Sequence, residues 1–252
     1  MAVMAHANAP KKPRSRKAAE DAPPAPRRPR WRRGLFWAAR AVAGGVVLTL
    51  AWVMLLSVVN PPRGIYMRAE AHRLGEIRQE WVAWSDIAPV MARSVVAAED
   101  ANYCLHWGFD MGAIRQALDQ GATRGASTIT QQVVKNVFLW HDRTWTRKAL
   151  EAVLTPVVEL FWSKRRILEV YMNVAEFDEG VFGVQAAAQH YFKVPASALS
   201  DVQAARLAMV LPNPKARSAA RPTAAQRART ARIVDGAETI RRDGRAACFE
   251  SG

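Results

Sequence analysis

The sequence predicts a mainly α-helical domain behind one N-terminal transmembrane helix. Three observations carry that expectation. A long charge-free apolar run stands near the N-terminus, apolar residues after it recur at three- and four-residue steps, and strand-like alternation is scarce. Composition fits a globular chain: of 252 residues, 50% are hydrophobic and 23% charged, which excludes the collagenous, disordered and disulfide-rich classes. The net charge of +14 is unevenly placed. Residues 1–40 hold 11 basic and 2 acidic side chains, residues 41–214 hold 16 of each, and residues 215–245 hold 9 basic and 3 acidic. The excess lives in two tails, so a domain-wide basic face is absent and no nucleic-acid partner is expected.

Residues 1–40 contain Lys11-Lys12-Pro13-Arg14 and Ala22-Pro23-Pro24-Ala25-Pro26-Arg27-Arg28, with almost nothing apolar to build a core. They read as a basic, disordered cytoplasmic tail. Residues 41–59 are 19 consecutive uncharged positions rich in Val, Leu, Ala and Trp. As a helix they span roughly 28 Å, close to a bilayer's hydrocarbon thickness. A buried core helix is the alternative, but core helices seldom stay apolar on every side for five turns. A cleaved signal peptide fits poorly, because the run is too long and starts too late. Trp31, Trp37 and Trp52 suit interfacial or lipid-facing positions. The arginine-rich flank then keeps residues 1–40 inside and places everything after Asn60 outside.

Residues 60–245 form the expected exported domain, a size that supports one core, with 246–252 as a C-terminal tail. Helical spacing groups Ile87, Met91, Val95 and Ala98; Leu150, Val153 and Leu154; Ile167, Leu168, Tyr171 and Met172; and Ala204, Leu207, Ala208 and Leu211. Loops are marked by Trp107-Gly108, Arg124-Gly125 and Pro212-Asn213-Pro214. Arg227, Arg229 and Arg232 read as a solvated helix face, with anionic lipid headgroups as the alternative partner. The two cysteines, Cys104 and Cys248, lack metal-ligand spacing, so no zinc site is expected. They could pair in an oxidising compartment.

The stripe Ile87, Met91, Val95 steps next onto Glu99, so this carboxylate ends an apolar face and points to a core or a cleft. Burial would raise its pKa, which suits a general acid or base; a helix-terminal salt bridge is the plainer reading. Asp100 is explained as a capping or supporting group; His106 could be a base, but beside a Gly turn it reads more plainly as a hydrogen-bonding group that holds its loop near Glu99. Thr128 with Gln131 fits a capping box, so a helix starts here. Thr128, Gln132, Lys135 and Asn136 share one face of it, opposite Ile129, Val133 and Val137. Such a face suits a polyanion or a sugar, whereas an ordinary amphipathic surface helix is the bland alternative. The Gly-Lys spacing of a phosphate-binding P-loop is missing. Arg147 and Glu151 are helical neighbours: either a plain ion pair, or a second carboxylate aimed by Arg147 and Lys148. Glu169 and Asn173 share a face and read as buried polar pins.

Taken together, Glu99-Asp100-x-x-Tyr103-x-x-His106-x-Gly108-Phe109-Asp110, the run Gly125 to Asn136 containing Ser127, Arg147-Lys148-x-x-Glu151, and Lys164-x-x-Ile-Leu-Glu169-x-Tyr171-x-Asn173 resemble the ordered motifs of family 51 peptidoglycan glycosyltransferases. The similarity spans roughly Trp81 to Pro214 and points to the monofunctional transglycosylase branch, since no Ser-x-x-Lys of a transpeptidase occurs. The resemblance implies a lysozyme-like α fold in the bacterial inner membrane, with its catalytic domain on the periplasmic side. It implies an inverting enzyme that polymerises lipid II into β-1,4-linked glycan and releases undecaprenyl diphosphate. Glu99 and Glu151 would be catalytic. Ser127, Thr128, Gln132, Lys135, Asn136, Arg147 and Lys148 would bind substrate, and Asp100, His106, Asp110, Glu169 and Asn173 would support the motifs. No resident metal or cofactor is required, though Mg or Mn could accompany the diphosphate. Implied partners are lipid II, the lipid-linked glycan, the membrane and other cell-wall synthesis or division proteins. Three details depart from the pattern: Tyr103 in place of Phe, Gln203 in place of Glu, and Cys104, whose thiol could be modified near the cleft.

Two rivals remain open at this level. A lytic enzyme would cut the same glycan with one Glu, but would not need the diphosphate-suited pair Lys135 and Arg147. A membrane-anchored scaffold or nucleic-acid binder would use the basic tails, but the neutral body and the two embedded Glu residues oppose it. The charge asymmetry across residues 41–59 makes topology testable. A reporter fused after Gly252 that works only outside the cytoplasm should be active, and activity of a cytoplasm-only reporter there would reverse the orientation.

Overall fold

The computed structural model describes residues 30–121, 127–142 and 144–251. The readings made for residues 1–29 and for Arg124-Gly125 lie outside them. The chain divides into two units, Met1–Val47 and Leu48–Gly252, with the boundary inside the first helix. That helix, α1 (Arg30–Leu56), contains 26 residues, Trp31–Leu56, that are long and apolar enough to cross a membrane. It begins 11 residues before the charge-free run, so residues 30–40 are helical and not part of a disordered tail. Arginine is a good helix former, and the early guanidinium groups lie over aromatic rings: Arg32 over Trp31, Arg40 over Phe36 and Trp37. The helix also stops three residues early, at Leu56, ahead of Asn60-Pro61-Pro62.

In the second unit, the last turns of α1 are tied down through their carbonyl groups. Trp162 Nε1 donates to Val53 O at 2.7 Å, and Arg166 donates to Leu56 O at 3.2 Å and to Val59 O at 2.8 Å. Carbonyls that a helix end leaves orphaned are thereby satisfied by side chains of the domain.

The domain is built mainly of helices, as expected. One layer packs α3 (Pro89–Glu99), α9 (Asp201–Val210) and α10 (Ala224–Arg242) on one another. A second places α5 (Ile129–Phe138) against both α6 (Trp145–Phe161) and α7 (Lys164–Val174). The shorter helices α2 (Ile65–Leu74), α4 (Met111–Asp119), α8 (Val184–Phe192) and α11 (Ala247–Glu250) complete the unit. A small sheet that the pattern did not foretell runs β1 (Arg78–Gln79), β3 (Val181–Phe182), β2 (Glu176–Asp178), with β1 parallel and β2 antiparallel to β3. Strands of two or three residues are too short to show alternation.

The stripes on α3, α7 and α9 are core: Met91, Val95, Ile167, Leu168, Tyr171, Met172, Leu207 and Ala208 are buried. The stripe on α6 is not. Leu150 and Val153 are exposed, and the inward face of α6 instead carries Glu151, Thr155, Val158 and Glu159. Helical periodicity reports an apolar face without saying whether protein covers it.

Residues 246–250 are no tail either. Ala246 and Phe249 are buried, Phe249 lies edge-on to Trp84 at 6.2 Å, and Arg93 pairs with Glu250 at 2.7 Å. Arg165 donates to both Phe249 O and Glu250 O. Cys248 is joined to Cys104 with Cα atoms 5.7 Å apart, so the free thiol considered for Cys104 does not exist. The extra hydroxyl of Tyr103 donates to Lys164 O at 2.8 Å, and Gln203 closes a capping box with Ser200.

The disulfide closes a loop of 144 residues and should stabilise the fold through the unfolded chain's lost entropy. Cys104→Ser or Cys248→Ser should cost about 2–5 kcal/mol in denaturant unfolding. Reduced wild type should match them, whereas unchanged midpoints would mean that Phe249 and the Arg93–Glu250 pair hold the strap unaided.

Candidate active site

Three short stretches of chain converge: the C-terminal end of α3, the N-terminal half of α5, and the start of α6. Glu99 is the last residue of α3. Its Oε2 accepts from Gln132 Nε2 at 3.0 Å, and Gln132 Oε1 in turn accepts from the buried Tyr171 hydroxyl at 3.3 Å. The tyrosine thus fixes the amide so that its NH2 faces the carboxylate. Burial pushes the Glu99 carboxyl above the usual range. The Gln132 hydrogen bond and the charges of Arg229 and Arg217 work against that rise, and Asp100 adds to it. A carboxyl with a raised pKa is suited to exchanging a proton near neutrality.

Asp100 caps α3 and holds α5 to it. Its Oδ2 accepts from Ile129 N at 3.0 Å, and its Oδ1 lies 2.8 Å from His106 Nε2. His106 Nδ1 is buried without a hydrogen-bond partner among the described residues. Asp110 caps α4 through Ala113 N and takes a second bond from Asn102. Ligand atoms of Asp100, His106 and Asp110 come within 4.8 Å of one another, yet both oxygens of each carboxylate are already spent on these contacts. Gly108 turns the loop with φ +80°, where a Cβ would fall 2.4 Å from Thr155 Cγ2.

Thr128 caps α5 in the expected capping box with Gln131. It is buried, and its hydroxyl donates to Gly108 O at 2.7 Å, so it braces the site and does not line the cleft. The sequence put it on the polar face because capping and ligand binding select the same residue type.

The cleft has two adjoining chambers, of about 470 and 280 Å3, with Gln132, Lys135 and His141 lining both. The larger adds Ser127, Arg147, Lys148 and Glu151; the smaller adds Asn136, Tyr66, Glu176 and Lys215. Glu99 is a wall of neither and adjoins them through Gln132. Glu151, 2% exposed, receives Arg147 on one oxygen at 2.5 Å and Lys148 on the other. Lys148 also reaches Ser127 at 3.3 Å, and Arg147 donates to Asp142 O. Lys135 stands apart: its ammonium has no hydrogen-bond or ion-pair partner among the described residues. Partial burial lowers its pKa, with the nearby Arg147 and Lys148 adding to that and Glu151 opposing it. An uncommitted cation beside two committed ones presents positive charge to an anion at no cost in broken pairs. A protein-held divalent metal does not fit the larger chamber. Both Glu151 oxygens are taken, Asp142 is the other lining carboxylate, and three cations would face the ion.

Glu169 and Asn173 hold the chain at 82–84: Glu169 accepts from Trp84 N, and Asn173 exchanges two hydrogen bonds with Val82; Asn173 is buried, Glu169 only partly. Among the polar residues of the cleft, Tyr66, His141, Asp142, Glu176 and Lys215 escaped the sequence reading. His141 stacks on Tyr66 at 3.7 Å and contacts Asn136 Oδ1 at 2.9 Å; Tyr66 donates to Glu176 at 2.6 Å. Burial, together with Lys135, Arg147 and Lys215, lowers the His141 pKa to about 4, so the ring is neutral at physiological pH. Lys215 directly follows the flagged Pro212-Asn213-Pro214 turn, the one signal that could have found it.

Residues 68–238 match the Transglycosylase family profile. The chain belongs to the transglycosylase family. It is similar to the biosynthetic peptidoglycan transglycosylase of Jannaschia sp. (strain CCS1), with 58% identity over 213 residues, covering 84% of this chain and 89% of that one. The namesake of Pseudomonas entomophila (strain L48) is 50% identical over 204 residues, 76% of this chain and 83% of its own. That of Yersinia pseudotuberculosis serotype IB (strain PB1/+) is 47% identical over 199 residues, 73% and 83%. This transglycosylase is accordingly a peptidoglycan glycosyltransferase, and the cleft just described is its candidate active site.

With Glu99 acting as the base it would have to be ionised, so kcat/KM should then fall as pH falls through the raised Glu99 value, above the ordinary carboxylate range. Gln132→Ala removes a bond that lowers that value, so the acid limb should move to higher pH. A limb that stays put in Gln132→Ala would assign it to another group.

Proposed function

We propose that this transglycosylase polymerises lipid II, with Glu99 as general base and the larger chamber as the diphosphate site. The oxygen of one sugar's 4-hydroxyl attacks the anomeric carbon of the lipid-linked partner while Glu99 takes the hydroxyl proton. The bond from that carbon to the diphosphate oxygen breaks with inversion, and its electron pair leaves with undecaprenyl diphosphate. Lys135 carries the reading: it is the cleft cation left without a partner among the described residues, placed one helical turn from Gln132 and hence near Glu99. Arg147 and Lys148 add charge while holding Glu151, and Ser127, Gln132 and Asn136 supply hydrogen bonds for sugar or phosphate. A Mg or Mn ion accompanying the reaction would be carried by the diphosphate oxygens. A lytic reading leaves the three cations around the chamber without a task. Absence of a Ser-x-x-Lys motif supports glycan synthesis without transpeptidation.

The membrane is the natural partner of such a substrate. Besides α1, the domain exposes Trp107, Met111 and Leu118 at α4 and Trp145, Leu150, Val153 and Leu160 on α6. Apolar faces of this kind suit a lipid surface. The Cys104–Cys248 disulfide supports a periplasmic domain with residues 1–29 in the cytoplasm, because such bonds persist in oxidising compartments. Other cell-wall synthesis or division proteins remain the class of protein partner to seek.

Glu99→Gln keeps shape and hydrogen bonding but cannot accept a proton, so lipid II polymerisation should fall by roughly 10² to 10⁴ with binding retained. More than about a tenth of wild-type turnover, well short of that factor, would remove Glu99 from the role of base. Lys135→Ala should cost about 10²–10³ in kcat, the scale of one lost oxyanion contact. Near-normal turnover in that variant would move the diphosphate elsewhere.

A further inference from the structure

The sequence grouped Arg227, Arg229 and Arg232 on one solvated face, and the structure takes one of the three away from it. Arg227 and Arg232 are exposed, whereas Arg229 is half-buried and turns toward α3. Its Nη2 donates to Ala98 O at 3.4 Å, a carbonyl in the last turn of α3 and directly before Glu99. The two helices run close: a Cβ at Gly236 of α10 would lie 3.1 Å from Ala97 Cβ. Arg217, in the segment between α9 and α10, does the same for α9, donating to Met209 O at 2.9 Å. Carbonyls at a helix C-terminus lack partners within the helix and carry partial negative charge, so a guanidinium group suits both places.

Burial raises the pKa of the Glu99 carboxyl, and both guanidinium charges work against that rise. Asp100 beside it, Lys135 of α5 and Tyr171 of α7 also interact with it. Neither arginine is a wall of either chamber of the cleft. Positive charge therefore reaches Glu99 from two sources with different fates. Lys135 faces the cleft, and an arriving diphosphate would neutralise it just when its own negative charge disfavours a second anion nearby. Arg217 and Arg229 stay outside that exchange. A guanidinium group also keeps its charge at every pH an enzyme meets, whereas burial lowers the pKa of Lys135.

We propose that Arg229, seconded by Arg217, is a positioning residue for the candidate base. It ties down the last turn of α3 and stations a permanent positive charge near Glu99 from outside the cleft. The assignment rests on the reading of Glu99 as general base and deepens it. With diphosphate bound, the two guanidinium groups keep the carboxylate ionised, and so ready to take the 4-hydroxyl proton.

The test follows kcat and kcat/KM for lipid II against pH, using the full-length protein in detergent. Arg229→Gln can still donate a hydrogen bond but carries no charge, and Arg229→Lys keeps the charge. Removing a positive charge raises a carboxyl pKa, so in Arg229→Gln the acid limb of both profiles should move to higher pH. The shift should be on the order of half a pH unit, the scale of one nearby charge acting through a water-like dielectric. Arg229→Lys should titrate like wild type. Arg217→Gln should move the limb the same way from a separate segment, so the test survives if one variant fails to fold. A uniform loss at every pH with the limb in place, or an equal shift in Arg229→Lys, would reduce Arg229 to a structural cap and overturn the proposal. Titration of the Glu99 carboxyl by isotope-edited NMR, assigned with Glu99→Gln, should read the same shift without turnover. Normal polymerisation by Glu99→Gln would remove the base and this role with it. An inactive Glu99→Gln, with a limb that neither arginine variant moves, would overturn the role of the arginines alone.

Discussion

The site depends on one carboxylate. Asp100 follows the candidate base directly, and its two oxygens reach the first backbone N–H of α5 and the ring of His106. A negative group at that helix start satisfies an orphan donor and favours the helix dipole. It also sets the spacing of the two helices that matter. With α5 held to the end of α3, Gln132 meets Glu99, and Lys135 falls one turn farther along the cleft. Replacing Asp100 by an apolar residue would leave a buried N–H and a buried imidazole unpaired, a cost several times that of a surface hydrogen bond.

Around that joint the loop 103–110 is braced from behind. Lys164 donates to His106 O and to Glu159, and lies over the Tyr103 ring. Glu159 also accepts from Thr130 of α5. These groups are buried polar pairs whose value is placement, since burying a charge is repaid only when each partner is satisfied. The cleft itself follows the opposite rule. There Lys135 has no hydrogen-bond or ion-pair partner among the described residues, and a cation without a partner is where an incoming anion gains most.

Much of this was legible in the chain. Four-residue steps leading to Glu99, the capping box at Thr128 and the face carrying Gln132, Lys135 and Asn136 all follow from helix geometry, which is local. Long-range meetings were not legible. Tyr66 and His141 stack across 75 residues, and Cys104 finds Cys248 across 144; neither leaves a periodic trace. The exposed face of α6 misled for a different reason, because an apolar helix face carries the same side chains whether or not protein covers it. The extension of α1 back to Arg30 was hidden by charge, which a sequence reading takes as the edge of a membrane span although long arginine side chains allow the helix to continue.

The strap formed by Cys104 and Cys248 sets the order in which the enzyme matures. Ribosomes make the loop beside Glu99 long before the segment that locks it, and α4 through α10 are synthesised between the two thiols. If the domain is exported as proposed above, each molecule spends the interval of its own translocation with that loop unfastened, exposed to mispairing with other thiols. Completion of the C-terminal helix and oxidation would then fasten the loop last, tying its final form to the oxidising capacity of the compartment that receives the domain.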